Sequence, residues 1–242
     1  MPYKIDKLYS YFLTNTKEKH NYKKIIIDKN TNKKGTGNMK KIFLFLALFI
    51  SIVPTHAAVD GVLSMEAMQA KQEGNLTKQH VVAQKIISKN PEDPLGYSLE
   101  AEILFKTKKY EEAIPYYTKA INAVKTVKEQ DSIKLRKMGY SDKDIDSVLN
   151  FNSSLAEYYN FRGICNIELN KENAALNDFI SAEKFNNKKY FIISWYKSLC
   201  LIKLARYDEA QKELQITKNL AKNSDEKEAT ENLIQFVNKK KN

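Results

Sequence analysis

The chain should fold as α-helices stacked in pairs, without a sheet, and three observations say so. First, a quartet of residues recurs at spacings of twelve, four and three: Ala101, Ala113, Tyr117 and Ala120, then Gly163, Ala175, Phe179 and Ala182, then Ser198, Ala210, Leu214 and Thr217. Each copy reads as two short helices. A small residue on the first marks where the second crosses closely, and an aromatic or aliphatic residue on the second fills the groove. Second, no stretch alternates apolar and polar residues as a half-buried strand would. Third, 43% hydrophobic residues with only seven Gly and five Pro in 242 suit a helical chain of one or two domains.

The first 57 residues read as a leader in two parts. Residues 1–38 are an extension rich in Lys, Asn and Tyr. Residues 39–57 match a secretory signal: Met39 with Lys40 and Lys41, an apolar run at 42–53 (IFLFLALFISIV), Pro54, and Thr55-His56-Ala57 as the cleavage site. Twelve apolar residues fall short of the ~20 that span a bilayer. Cleavage after Ala57 puts Thr55 and Ala57 in the two small pockets, so mature protein should begin at Ala58. No Cys follows the apolar run, and a lipid anchor is not indicated. A signal belongs at an N-terminus, which makes Met39 the expected start of translation. The alternative, a signal anchor with a cytosolic tail at 1–38, is disfavoured by the short run.

The formal charge of +11 divides unevenly: residues 1–38 carry +6, Lys40 and Lys41 add +2, and the remainder from Ala58 carries +3. The basic balance belongs mostly to the leader, which argues against a polyanion-binding surface and against a nucleic-acid partner.

Four repeats then follow, near 60–93, 94–127, 156–189 and 191–224. In the first, Ala67, Gln79, Ala83 and Ile86 keep the twelve-four-three spacing, with Gly74-Asn75-Leu76 as the turn and Asn90-Pro91 closing the unit. The second opens on Pro94, sets Tyr97, Ala101 and Leu104 on one face, and starts its second helix at Lys109-Tyr110-Glu111-Glu112-Ala113. Pro115 lies close enough to that helix start to be tolerated. From Ala101 to Gly163 is 62 residues, 28 more than the 34 from Ala67 to Ala101. This surplus, an insert at 128–155, should lengthen the second helix of repeat two and add one short helix. Gly139 ends the first, and Ser141 with Asp144 caps the other, which runs through Val148 and Leu149. Asp142, Asp144 and Asp146 resemble the start of a calcium loop, but Ser147 and Ser153 stand where its Gly and bidentate Glu belong, so an acidic first turn explains them better. Repeat three begins near Ala156, with Glu172 ahead of Ala175. Repeat four begins near Phe191, with Trp195, Ser198 and Leu201 on its first helix and Ala205 to Ala210 spanning its turn and second helix. Ser224 caps a last helix at 225–238, whose Leu233, Ile234 and Val237 share one side; a solenoid needs such a polar cap. The Lys239-Lys240-Lys241 run reads as a solvated tail.

Carried by these quartets, the chain resembles the tetratricopeptide-repeat (TPR) family, whose unit is ~34 residues. The resemblance implies a right-handed α-solenoid and a non-catalytic binding scaffold, with the first helices lining a concave groove that holds a segment of a partner protein or peptide. Periodicity places Ser98, Glu102 and Phe105 on that face in repeat two. Asn160, Ile164 and Ile167 follow in repeat three, and Trp195, Leu199 and Ile202 in repeat four. The family's Lys/Asn/Arg clamp on a C-terminal carboxylate is not seen, since Ser64, Met68 and Leu99 stand where its members would recur. The groove grows apolar toward its C-terminal end, where Trp195 should be the centre of the partner site.

Chemistry is sparse. The Gly-rich triplet Gly35-Thr36-Gly37 lies in the leader, and beyond the leader His80 stands alone with two distant Cys, too few for the usual zinc set. Pairs such as Glu111-Glu112 and Asp208-Glu209 open helices, where the dipole accounts for them. No catalytic residue, metal or cofactor is therefore expected. Cys165 and Cys200 occupy equivalent positions on adjacent first helices. Neighbouring axes ~8–10 Å apart exceed the ~7 Å that a disulfide allows, which favours two buried thiols over a bridge. The expected protein is an exported monomeric scaffold, periplasmic or secreted. A glycan- or peptidoglycan-binding module, or a regulatory subunit of an envelope enzyme, is the alternative.

Overall fold

The computed structural model describes residues 61–142, 144–145, 151–185 and 190–241, all within the compact unit Val53–Asn242. The signal-like segment, Met39, Ala58, Val148 and Leu149 lie outside the described residues. Helices α1 (Gly61–Glu73), α2 (Leu76–Lys89), α3 (Pro94–Lys106), α4 (Tyr110–Lys137), α5 (Phe151–Glu168), α6 (Glu172–Lys184), α7 (Phe191–Lys203), α8 (Tyr207–Leu220) and α9 (Ser224–Lys241) follow in order, and the described residues contain no strand. Each helix packs chiefly on its neighbours in sequence, and α7 also touches α5. This is a TPR-like solenoid, in which each unit buries its apolar face only by stacking on the next.

Every member of the four quartets is buried. The reason is geometric and clearest at Gly163, where a Cβ would lie 2.9 Å from the Phe179 ring and 3.2 Å from the Asp178 Cβ. Only a glycine lets α6 approach α5 so closely. Gln79, the odd polar member, is accommodated because its Nε2 donates to the Ala70 carbonyl at 3.2 Å.

A second repeat runs through the turns. Seven residues after each quartet's small residue the chain enters the left-handed region: Gly74 (φ 66°), Lys108 (60°), Asn170 (54°) and Ala205 (56°). All four turns close alike, the next residue's N–H donating to the carbonyl five back: Asn75 to Ala70, Lys109 to Leu104, Lys171 to Asn166 and Arg206 to Leu201, at 2.8–3.2 Å. This satisfies carbonyls left open at the first helix's end. Two of the four residues carry an ordinary Cβ into a conformation that disfavours it by about 1–2 kcal/mol, partly offset by glycine's greater entropy in the unfolded chain. Lys108→Gly and Ala205→Gly should therefore each stabilise by roughly 0.5–1 kcal/mol. Urea midpoints that fall in both variants would contradict this.

Caps follow local chemistry. Asn75 accepts from the Lys78 N–H at 2.9 Å to open α2, and Asp93 accepts from the Leu95 N–H at 2.7 Å ahead of Pro94. Burial pushes the Asp93 carboxyl up. At the insert, α4 runs unbroken through Pro115 to Lys137, where Gly139 (φ 91°) and the Tyr140 N–H bond to the Leu135 carbonyl at 3.1 Å end it. Ser141 then bonds the Asp144 carboxylate and accepts from its N–H at 3.3 Å, opening a short helical turn. The extra residues also lengthen α5, which starts at Phe151, ahead of Ala156. Lys128 reaches across to the Asn152 Oδ1 at 3.0 Å and ties the two extensions. The last helix departs from expectation at both ends. Asn223, not Ser224, caps it, accepting from the Glu226 N–H at 2.9 Å, and α9 continues to Lys241, whose Nζ pairs with Asp208 at 2.7 Å.

Candidate functional site

The first helices α3, α5 and α7 carry the candidate residues in three equivalent rows. Three residues before the small residue stand Ser98, Asn160 and Trp195; one after it, Glu102, Ile164 and Leu199; four after it, Phe105, Ile167 and Ile202. Within each helix these fall at i, i+4 and i+7, one stripe of the surface.

The stripes differ in exposure. On α3, the Ser98 hydroxyl donates to the Leu95 carbonyl at 2.9 Å, and on α5 burial pushes the Tyr158 phenol up to about 12. Burial also works against the Glu102 carboxylate, but Lys71 at 2.6 Å and Lys106 at 2.7 Å outweigh it and hold the carboxyl below its usual range. Glu102 is thus engaged within the protein, bridging α1 to α3. Phe105 is 2% exposed, set edge-on to Phe161 of α5 with centroids 5.0 Å apart and edge-on to Tyr117 at 6.4 Å. It therefore belongs to the interior rather than the groove surface.

On α5 and α7 the apolar members divide. Ile164 and Ile167 are buried and Asn160 half-buried, while Leu199 and Ile202 are half-buried and reach the surface. Trp195 is only 9% exposed. Its ring stands edge-on to Tyr196 at 5.2 Å, and Tyr196 in turn stacks on Phe179 at 5.6 Å. The site centre expected at Trp195 is accordingly an enclosed indole. Its Nε1 and the Asn160 Oδ1 are both shielded from solvent and have no hydrogen-bond partner.

A fourth row, one residue before each small residue, was not anticipated. Arg162 forks onto Asp178 with contacts of 2.6–3.2 Å and donates to the Thr118 hydroxyl at 2.9 Å, joining α5 to α6 and α4. Asn166 adds a bond to the Asp178 Oδ2 at 2.9 Å. Lys197 pairs with Glu183 at 2.7 Å and Glu213 at 2.9 Å, joining α7 to α6 and α8. Burial draws its ammonium pKa down, but the bonds to Glu183 and Glu213 prevail and raise it. In repeat two the same place holds Glu100, which accepts from Gln84 of α2 at 2.8 Å and lies 2.7 Å from the His80 Nδ1 of the same helix. The sequence signal was a basic residue sixteen positions before an acidic one, in register in repeats three and four.

Ser194, Glu213 and Lys197 form a hydroxyl–carboxylate–ammonium cluster that a nucleophilic enzyme could use, with Thr217 donating to Ser194 at 3.0 Å. Ser194 is 2% exposed, however, so no substrate reaches it. These bonds hold α7 to α8. Cys165 and Cys200 are free and buried, and burial pushes both thiols up to about 12. Among the described residues no group of His, Cys, Asp and Glu could hold a metal ion, and no helix is long and apolar enough to cross a membrane.

No protein-family model and no curated protein matches the chain. Among solved structures it is similar to a thermophilic TPR protein of Thermus thermophilus, with 16% identity over 70% of this chain and 95% of that one and a TM-score of 0.35. So low a score carries no argument; the solenoid stands on its own helices, turns and buried quartets.

Proposed function

We propose that the chain is an exported, non-catalytic TPR-like scaffold that holds a segment of a partner protein against its first-helix face. The observation that carries this reading is the stripe on α7: Leu199 and Ile202 are apolar yet reach the surface beside the enclosed Trp195, Ile164 and Ile167. Apolar surface of this kind is what an interaction face retains. The contacting residues are then Leu199, Ile202 and Asn160, with Glu102 at the polar end, while Phe105, Ile164, Ile167 and Trp195 shape the surface from beneath. A glycan-binding module would instead require free acidic and aromatic groups on this face, and Glu102 is already held by two lysines.

The test is a pull-down from the envelope fraction of the source cell. Leu199→Asp/Ile202→Asp should lose a partner captured by the parent protein by at least about tenfold, as loss of a hot spot does, with unchanged far-UV circular dichroism. Equal capture by both would sink the reading. Export makes a separate prediction, resting on the signal-like residues 39–57. Protein recovered outside the cytoplasm should begin at Ala58, and an N-terminal sequence starting at Met1 or Met39 would refute it.

A further inference from the structure

Two residues before each quartet's small residue, repeats two, three and four carry Leu99, Phe161 and Tyr196, and each packs on the repeat before it. Leu99 lies in one apolar cluster with Ala67 of α1 and Ile86 of α2. Phe161 stacks on Tyr117 of α4 with centroids 6.0 Å apart, and Tyr196 on Phe179 of α6 at 5.6 Å. Three residues earlier still, Gly96 sits so close to α2 that a Cβ there would lie 2.7 Å from the Ile87 side chain. Repeat one places Met65 and Val62 at these two stacking positions, and among the described residues no helix precedes α1. Both side chains are bare: Met65 is 74% exposed, Val62 60%, and Met68 beside them 61%.

At 3.6 residues per turn, the exposed Val62, Met65, Met68, Gln69 and Gln72 fall within an arc of about 120° centred on Met65. They lie opposite the buried Leu63, Ala67 and Ala70, and no charged residue falls among them. The far end of the stack differs, since α9 exposes Asp225, Glu228, Lys239 and Lys240, the polar cap that a solenoid requires.

We propose that the bare face of α1 is the contact between two copies of this chain, which meet antiparallel about a two-fold axis at Met65. Met65 then packs on Met65 of the second copy and Val62 on its Met68, because positions equally far from the axis in opposite directions face one another. The lack of charge selects this occupant. An isologous contact sets a patch against itself, and an uncharged patch meets its copy without like-charge repulsion. Stacking α1 head-to-tail on the α9 end of another copy would bury carboxylates and ammonium groups unpaired against methionines. A strongly charged partner finds no counter-charge here. Flexible, polarizable Met side chains also repack readily against each other. One 13-residue helix per copy makes a contact at the small end of the range for specific interfaces, so the dimer forms reversibly as concentration rises. The contact uses the stacking edge of repeat one, apart from the α7 stripe, and stands or falls independently of partner binding there.

Sedimentation equilibrium of the purified chain, as processed by its source cell, reads the mass over a range of concentrations. The mass should climb from that of one copy toward that of two and stop there. Met65→Glu and Met65→Lys each place two like charges across the axis and should raise the dissociation constant at least about tenfold. Circular dichroism should be unchanged, because the Met65 side chain is already in water. An equimolar mixture of the two variants should associate again, since Glu then faces Lys, a rescue that requires position 65 to meet its own copy. A parent chain that stays a single copy throughout overturns the proposal, as does a dimer that both variants leave intact. Mass that grows past two copies assigns the contact to head-to-tail stacking, and variants that the mixture fails to rescue assign a different surface opposite α1; either result also overturns it.

Discussion

Arg162→Leu should lower the unfolding free energy by roughly 3–5 kcal/mol, because it strands the Asp178 carboxylate inside the stack. Asp178 is 4% exposed, and Arg162 meets it with a fork of charge-assisted bonds while also reaching Thr118 on α4. Asn166 would remain as a partner through its 2.9 Å bond, but a neutral amide cannot balance a buried charge. The double variant Arg162→Leu/Asp178→Leu should recover most of the loss, since removing both partners leaves no uncompensated ion. Arg162→Lys should fall between, keeping the charge but not the fork. Urea unfolding followed by circular dichroism measures all of these. A single variant as stable as the parent, or a double no better than the single, would show that the pair holds nothing together.

That ion pair marks where sequence reading stopped. The quartets were legible because close helix crossing allows only small side chains at one place and demands a filler at another, so residue size alone gives the spacing away. The expected caps at Gly139 and Ser141 were visible for the same local reason. The left-handed turn positions were harder, since only Gly74 announces itself, while Lys108, Asn170 and Ala205 are held there by the bonds of the turn. Arg162 and Lys197 escaped because a charged residue on an amphipathic helix ordinarily faces water, and nothing local says that an acid sixteen positions on will bury with it.

The candidate face was legible as rows but not in depth. Helical periodicity says which residues share a stripe; it does not say how far the next helix leans over it. Phe105 is covered because Phe161, outside the quartet pattern, packs on it from α5. Trp195 is enclosed although Leu199, one turn on, reaches the surface. The longer α4 and α5 were readable in part, because the surplus of 28 residues between quartets had to go somewhere. The stretch of α5 ahead of Ala156 was not, since no breaker in the sequence sets Phe151 to Leu155 apart as helix.

Gly163 and Phe179 should show a change of sign when tested together. Phe179→Ala alone should cost about 3–5 kcal/mol, since the ring is wholly buried between α5 and Tyr196 of α7. Gly163→Ala in the parent protein puts a Cβ 2.9 Å from two ring carbons of Phe179 and 3.2 Å from the Asp178 Cβ. The stacked ring has no free direction in which to retreat, so overpacking should cost about 1–3 kcal/mol. A glycine inside a helix otherwise costs about 0.5–1 kcal/mol relative to alanine. Once Phe179 is replaced by Leu and the ring is gone, that intrinsic term should prevail. In the Phe179→Leu background, Gly163→Ala should therefore stabilise by up to about 1 kcal/mol, less any residual crowding by Asp178. Contacting residues are where such non-additivity is expected, and the coupling read from the double-mutant cycle should exceed about 1 kcal/mol. If Gly163→Ala destabilises both backgrounds equally, the glycine is needed for approach of the α6 backbone or of Asp178, not for the aromatic ring.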